Sequence, residues 1–204
     1  MGKRAAIAEA NKPIRKTLRP CKAESKNWDT TENLYIEGDN LEVLKLLQES
    51  YLGKVKMIYI DPPYNTGKNY IYRNDFSVDK AEYLEITDEI SEEGSKLVSN
   101  PRTYGRFHSA WLTMMYQRLL LAKTLLLPTG ILVCAIDENE QASLEIILRE
   151  IFTEDSYDHV CVTVVHNPRG IQGINFSYTN EYAIFVFPKN IHTFAMLHAD
   201  FHIC

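Results

Sequence analysis

Four consecutive residues, Asp61 to Tyr64 with the sequence Asp-Pro-Pro-Tyr, combine groups that a reaction at an exocyclic amine requires. The lone pair of such an amine is conjugated with its aromatic ring, so the nitrogen is a poor nucleophile. The Asp61 carboxylate and the Pro62 carbonyl can accept both N–H bonds and draw the nitrogen towards tetrahedral geometry. The prolines fix φ, and Pro63 has no N–H to compete for these acceptors. Tyr64 offers a flat face on which an extruded base can stack.

The surroundings of this tetrapeptide favour a functional role over a structural one. Taken alone, two prolines end a strand and an aspartate caps a turn. Here they follow the near-continuous apolar run Val55–Ile60 and precede a loop, rich in Asn, Gly and Tyr, that extends to about Val78. Asp61 is therefore predicted at the carboxyl end of a strand buried on both faces, where ligands bind in open α/β sheets.

Hydrophobic patterning predicts alternating strands and helices along the chain. Predicted strands cover residues 33–37, 55–60, 131–136, 160–165 and 182–187. Four helices are predicted. The first begins at Leu41 and is ended by Gly53, the second is an acidic stretch after Val78, and the others cover residues 107–127 and 137–151. This βαβ alternation predicts a parallel sheet with helices on both faces. Asp137 is predicted at the carboxyl edge of this sheet, where a helix cap is the simpler interpretation of its role.

Composition restricts the class of protein. The chain has 204 residues, of which 45% are hydrophobic and 24% charged, as in a globular chain with one core. No apolar run is long enough to cross a bilayer and no secretory signal is present, so we expect a cytoplasmic protein without a membrane partner. The four cysteines lack C-x-x-C spacing, which argues against zinc and a disulfide framework. Cys134 and Cys161 are expected to be small buried hydrophobes.

Charge is distributed unevenly. The net charge of −5 argues mildly against a self-sufficient nucleic-acid binder. Residues 1–26 are nevertheless strongly basic, whereas residues 75–93 are acidic. The basic arm either contacts phosphates or is a solvated, partly disordered terminus. We therefore divide the chain into a basic arm at residues 1–30, a catalytic domain at 31–190 and a divergent tail at 191–204.

The tetrapeptide belongs to a longer series of blocks that resembles one protein family. Segments similar to the Mod (modification) subunits of type III restriction–modification systems lie at residues 34–45, 55–68, 108–118, 136–140, 180–183 and 186–190. These subunits are β-class amino-methyltransferases, in which D-P-P-Y precedes the cofactor-binding motif. D-P-P-Y alone is shared with other amino-methyltransferases, and the flanking blocks make the resemblance specific.

The resemblance implies an α/β fold with the Rossmann-like sheet of S-adenosylmethionine-dependent methyltransferases. It implies methyl transfer from S-adenosylmethionine to the N6 amino group of a flipped adenine in double-stranded DNA, with a second Mod subunit and a restriction (Res) subunit as partners. The implied catalytic residues are Asp61, Pro62, Pro63 and Tyr64. The implied cofactor-binding residues are Asp39, Asn65, Thr66 and Gly67. A helix cap explains Asp39 equally well, a turn explains Gly67, and no metal is implied.

Two features depart from the family pattern. No G-x-G occurs among the nine glycines, so the glycine-rich F-x-G-x-G segment that holds the cofactor is missing. The tail carries His192, His198 and His202 without a convincing set of metal ligands. We therefore expect a chain truncated before the cofactor motif, with a sheet that is incomplete at its C-terminus.

Two other functions stand beside adenine methylation. Cytosine-N4 methylation uses nearly identical chemistry, but its motif begins more often with Ser, so Asp61 favours adenine. A non-catalytic truncated fragment that binds DNA or a subunit is the alternative of a different class, and the missing G-x-G favours it. Binding of S-adenosylmethionine separates these two classes.

Overall fold

The computed structural model of the protein describes residues 3–66, 107–165, 170–172 and 177–191. In chain order its elements are α1 (Lys3–Ala10), α2 (Asn40–Tyr51), β1 (Val55–Ile60), α3 (Phe107–Leu125), β2 (Leu126–Ile136), α4 (Gln141–Ile151), β3 (Tyr157–Val165), β4 (Ile171–Gln172), β5 (Ser177–Tyr178) and β6 (Asn180–Pro188). The predicted acidic helix, Gly67 and the histidines of the tail lie outside the described residues.

Four strands form the main sheet, in the order β1-β2-β6-β3. Strands β1 and β2 are parallel and are joined through α3, which confirms the α/β class and the predicted βαβ unit. The prediction of a wholly parallel sheet is wrong, because β6 runs antiparallel to both of its neighbours. A parallel pair needs a long crossover connection, whereas the described part of the β3–β6 connection carries only the short β4–β5 ladder.

The core surrounds β2, which in the described part of the chain is the one long strand with side chains buried on both faces. Its core residues Leu132, Val133, Cys134 and Ile136 are each at most 2% exposed. Helix α3 contributes a buried stripe to the same core, made of residues at intervals of four: Trp111, Met115 and Leu119. Helix α4 contributes Leu144 and Leu148. Cys134 is buried as predicted, and burial raises the pKa of its thiol to about 12. The thiol is therefore protonated and inert.

Predictions fail at the two edges of the sheet. Residues 33–37 form no strand, and Leu34 and Tyr35 are 72% and 91% exposed. Apolar and polar side chains alternate over residues 33–37 as in a strand, but no described strand pairs with this segment. The expected cover on both faces of β1 is also wrong, since Met57 and Tyr59 are largely exposed on this edge strand. Cys161 is exposed rather than buried because β3 is the opposite edge.

The boundaries of the other elements are close to those predicted, with one irregularity. Strand β2 begins at Leu126 rather than at Ile131, and the residues between these two bulge out of the ladder with β1. Gly130 lies in this bulge, where a Cβ would come within 3.0 Å of the backbone of Leu127. A glycine therefore allows the close approach of the chain to itself, since any side chain would force Leu127 to shift.

The basic N-terminal segment contains a helix that its charge pattern does not indicate. Helix α1 packs against α3, and its Ala6 and Ala10 are 0% and 4% exposed. Lys3 forms an ion pair with Glu150 of α4, and the Lys16 ammonium lies 2.6 Å from the Glu42 carboxylate. Part of the positive charge of residues 1–30 is therefore paired within the fold. Among the described helices, none has both the length and the apolarity that a bilayer span requires.

Two residues of α4 provide a matched test of this packing. Leu148 is fully buried, whereas Ile146 is 67% exposed on the same helix. We expect Leu148→Ala to lower the free energy of unfolding by about 2–5 kcal/mol, because it leaves a cavity in the core. Ile146→Ala should change it by less than about 0.5 kcal/mol. Urea denaturation followed by circular dichroism measures both values, and equal losses would contradict the placement of the helix.

Candidate active site

The Asp-Pro-Pro-Tyr sequence lies in an irregular loop, Asp61 to Thr66, that leaves the carboxyl end of β1. Asp61 is exposed, whereas Pro62 and Asn65 are buried. Asn65 has a φ of 56°, in the left-handed region that Asn tolerates better than most residues. The loop thus turns inward on its buried residues and leaves the carboxylate accessible.

Trp111 of α3 fixes the middle of this loop. Its indole Nε1–H donates a hydrogen bond of 2.7 Å to the backbone carbonyl of Pro63. Trp111 is fully buried, so its N–H needs a protein partner, and the proline carbonyl provides it. The core therefore reaches the residue next to Pro62, whose carbonyl is a candidate acceptor for the substrate amine.

The phenol of Tyr64 is held by a carboxylate from β6. Its hydroxyl donates to Glu181 Oε2 at 3.1 Å. Burial raises the pKa of Tyr64 well above its usual range, and the nearby negative charges of Asp61 and Glu181 raise it further. The phenol therefore stays protonated over the whole physiological range and keeps donating this hydrogen bond.

Asn65 is bound to a carboxylate that is completely buried. Its Nδ2 donates to Glu140 Oε1 at 2.6 Å, and His108 Nδ1 lies 2.7 Å from the same oxygen. Glu140 is 0% exposed, and its Oε2 has no hydrogen-bond partner among the described residues. Glu140 immediately precedes α4, and His108 lies in the first turn of α3.

The predicted cofactor residue Asp39 lies at a helix end, as its alternative interpretation predicted. Its Oδ1 accepts a hydrogen bond of 3.0 Å from the backbone N–H of Glu42, and its Oδ2 lies 3.9 Å from Arg118 Nη2. Burial lowers the pKa of Arg118, while the Asp39 charge opposes that effect. Neither of these contacts joins Asp39 to the Asp61–Thr66 loop, so its role towards a cofactor stays a prediction.

Asp137, for which a helix cap was the simpler interpretation, makes a local turn instead. Its carboxylate accepts from the backbone N–H of Asn139 at 2.9 Å and from Asn139 Nδ2 at 2.6 Å. The N-cap position of α4 is Glu140, whose side chain is directed to the loop and does not cap the helix. Burial raises the pKa of the Asp137 carboxyl.

Three side chains that hold the loop had no predicted role: Trp111, Glu140 and Glu181. Each lies in one of the blocks whose resemblance to the Mod family was noted, at residues 108–118, 136–140 and 180–183. A polar or aromatic residue within each block, at a strand end or in an early helical turn, was therefore the sequence signal that could have identified these side chains. In the part of the chain that the structure describes, no group of three or more His, Cys, Asp or Glu could hold a metal ion.

Comparison with known proteins identifies the family of the chain. The model of the DNA methylase family (N6_N4_Mtase) matches residues 55–198, more than half of the chain and the whole of the loop. The chain therefore belongs to this family of DNA methylases, and its described sheet is of the predicted α/β class.

Within that family the chain is similar to Mod subunits of type III restriction-modification enzymes, which confirms the predicted resemblance. It is 35% identical to the EcoPI subunit of Escherichia phage P1 and 36% identical to the EcoP15I subunit of Escherichia coli, each over 193 residues. It is 43% identical over 138 residues to the StyLTI subunit of Salmonella typhimurium, which is 66% of this chain and 20% of that protein. The first two matches cover 93% of this chain and 30% of each relative.

The environment of Tyr64 has a measurable consequence. At pH 10, where an ordinary tyrosine is half ionised, we expect its phenol to remain mainly protonated. Because the folded pKa is raised, the associated stability is complete below about pH 10 and is lost as pH rises through the folded pKa. Carbon-13 NMR of labelled tyrosine measures the titration, and Tyr64→Phe assigns the resonance. A Tyr64 midpoint at or below about 10 would contradict the burial beside two carboxylates.

Proposed function

We propose that this chain carries the catalytic loop of an S-adenosylmethionine-dependent DNA methyltransferase that modifies the N6 amino group of adenine within a type III restriction–modification system. The observation that carries the proposal is the arrangement of the loop after β1. The Asp61 carboxylate is exposed at the strand end, while Pro63, Tyr64 and Asn65 are each held from the protein side.

The first role of the loop is to activate the amine. With one N–H directed at the Asp61 carboxylate and the other at the Pro62 carbonyl, the amino nitrogen loses conjugation with the ring and its lone pair becomes available. Acceptors that are fixed before the substrate arrives need no reorganisation during the reaction. Transfer of the methyl group would break its bond to the sulfonium sulfur, which would keep the bonding pair, and would leave the amino nitrogen positively charged. The Asp61 carboxylate is the group proposed to accept the proton that this nitrogen then loses.

The second role is to position the base. An adenine must leave the duplex, which costs a few kcal/mol. Stacking on the Tyr64 ring offsets about 1–3 kcal/mol of that cost. Holding the amine in line with the methyl donor supplies roughly 7–11 kcal/mol of the barrier reduction.

The residues present fit a cationic methyl donor. S-adenosylmethionine supplies an electrophilic methyl group on a positively charged sulfonium. The carboxylates of Asp61 and Glu181 both act on Tyr64 and make this end of the sheet negative. Asp39, Thr66 and Gly67 are the residues proposed to hold the cofactor, and Asn65 is proposed with them as part of the same loop.

The similarity to the Mod subunits also suggests partners and a location for the chain. Each relative is named as the Mod subunit of a type III restriction-modification enzyme. We extend the proposal to double-stranded DNA as substrate, to a second Mod subunit and a Res subunit as partners, and to the cytoplasm as the location.

The decisive experiment combines cofactor binding with identification of the product. Calorimetry should detect S-adenosylmethionine binding to the purified chain. Incubation with the labelled cofactor and DNA, followed by mass spectrometry of the nucleosides, should yield N6-methyladenine. Asp61→Ala should abolish the product with an unchanged circular dichroism spectrum, whereas Asp155→Ala, an exposed aspartate in the turn before β3, should retain it.

Two results would contradict the proposal. N4-methylcytosine as the product would overturn the assignment to adenine. Absence of cofactor binding at millimolar concentration would overturn activity of this chain by itself and favour the non-catalytic alternative.

A further inference from the structure

We infer that Glu140 is a positioning residue for the methyl-transfer loop, acting through Asn65, and that its role rests on the proposed function. Glu140 is 0% exposed, yet it carries a carboxyl group. Placing a carboxylate in the core is costly unless polar partners compensate for the lost water. Its described partners are Asn65 and His108, both on the side of the loop. The carboxylate is therefore placed to hold the loop and not to cap α4.

The Asn65 side chain is suited to receive this contact. Its amide group donates through Nδ2 to Glu140 Oε1, and its backbone has a φ of 56°. Asn tolerates this left-handed conformation better than most residues, and the contact with Glu140 gives the turned side chain a fixed partner. The hydrogen bond from Asn65 Nδ2 to Glu140 Oε1 is short, at 2.6 Å. Glu140 thus determines the direction in which the chain leaves Tyr64.

The contact completes a series along three consecutive residues. Pro63 is held by Trp111 of α3, Tyr64 by Glu181 of β6, and Asn65 by Glu140 at the start of α4. Each residue is therefore fixed by a different element. Removing one contact leaves two, so the expected effect is a displaced loop in a folded protein and not global unfolding.

This series changes the interpretation of Asn65 itself. It is 4% exposed, and its Nδ2 donates to the buried Glu140 carboxyl group. Its side chain is thus better placed to hold the loop than to contact a cofactor. In this proposal Glu140 and the Asn65 amide act on the reaction only through the backbone between Pro63 and Thr66.

A spectroscopic test is available because the chain has only two tryptophans. Trp111 Nε1–H is bonded to the loop, while Trp28 is 40% exposed and lies in a turn of the N-terminal segment. In a proton–nitrogen NMR spectrum of the purified chain, Glu140→Ala should shift or broaden the Trp111 indole signal and leave that of Trp28 unchanged. Asn65→Ala should produce the same change from the other side of the contact.

Conservative and control variants separate positioning from general damage. Glu140→Gln keeps an oxygen that can accept from Asn65, so the Trp111 signal should stay near its wild-type position. Glu145→Ala removes a carboxylate on α4 that is bonded to Arg149 and Gln141, and it should leave the signal unchanged. If Glu140→Ala does not fold, Asn65→Ala and Glu140→Gln still carry the test.

The same variants should affect kcat for methyl transfer much more than KM for DNA. We expect Glu140→Ala to lower kcat by about 10- to 100-fold with KM for DNA nearly unchanged, because the reacting groups are misplaced while DNA contacts remain. Glu140→Gln should restore most of kcat. An unchanged Trp111 signal in both alanine variants, or equal effects of Ala and Gln at position 140, would overturn the inference. A different result would refute only the proposed function: the Trp111 signal shifts in the two alanine variants, but the wild-type chain transfers no methyl group. The role of Glu140 in positioning the loop would then still stand.

Discussion

The hydrogen bond between the buried Glu140 carboxylate and Asn65 ties the core to the loop that carries Asp61. Together with the bonds from Trp111 to Pro63 and from Tyr64 to Glu181, it converts an irregular segment into a fixed one. Irregular segments are usually the most mobile parts of a domain. Here the anchors lie on residues 63 to 65, so the preceding carboxylate can be exposed to a substrate and still be held in place. A site that is preorganised in this way loses little when charge develops in the transition state.

The topology of the sheet explains how three distant segments reach one loop. Because β1 and β2 are parallel, the loops that follow them leave the same edge, which brings Glu140 beside Asn65. Strand β6 is antiparallel to β2, and Ile136 at the end of β2 is paired with Tyr182 near the start of β6. Glu181 therefore arrives at that same edge. The reversal of β6 is thus a requirement of the site and not an incidental variation of the fold.

Local signals made part of this structure predictable. Strand β1 occupies the predicted residues because a continuous apolar run lies between Gly53 and Pro62, which end regular structure at both sides. The cap at Asp39 was likewise a local signal, a short polar side chain directly before a periodic helix. Strand direction and exposure depend on partners elsewhere in the chain. Residues 33–37 have the pattern of a strand but no described partner, and the Glu140–Asn65 bond joins residues that only the fold brings together.

The hydrogen bonds from α3, α4 and β6 should keep the loop rigid before any ligand binds. Nitrogen-15 relaxation of the free, purified chain measures this directly at the amides of Asp61, Tyr64, Asn65 and Thr66. Order parameters of about 0.85, equal to those of strand β1, are predicted. Values below about 0.6 in the loop, with β1 still rigid, would show that the hydrogen bonds from α3, α4 and β6 do not hold it and would contradict the claim.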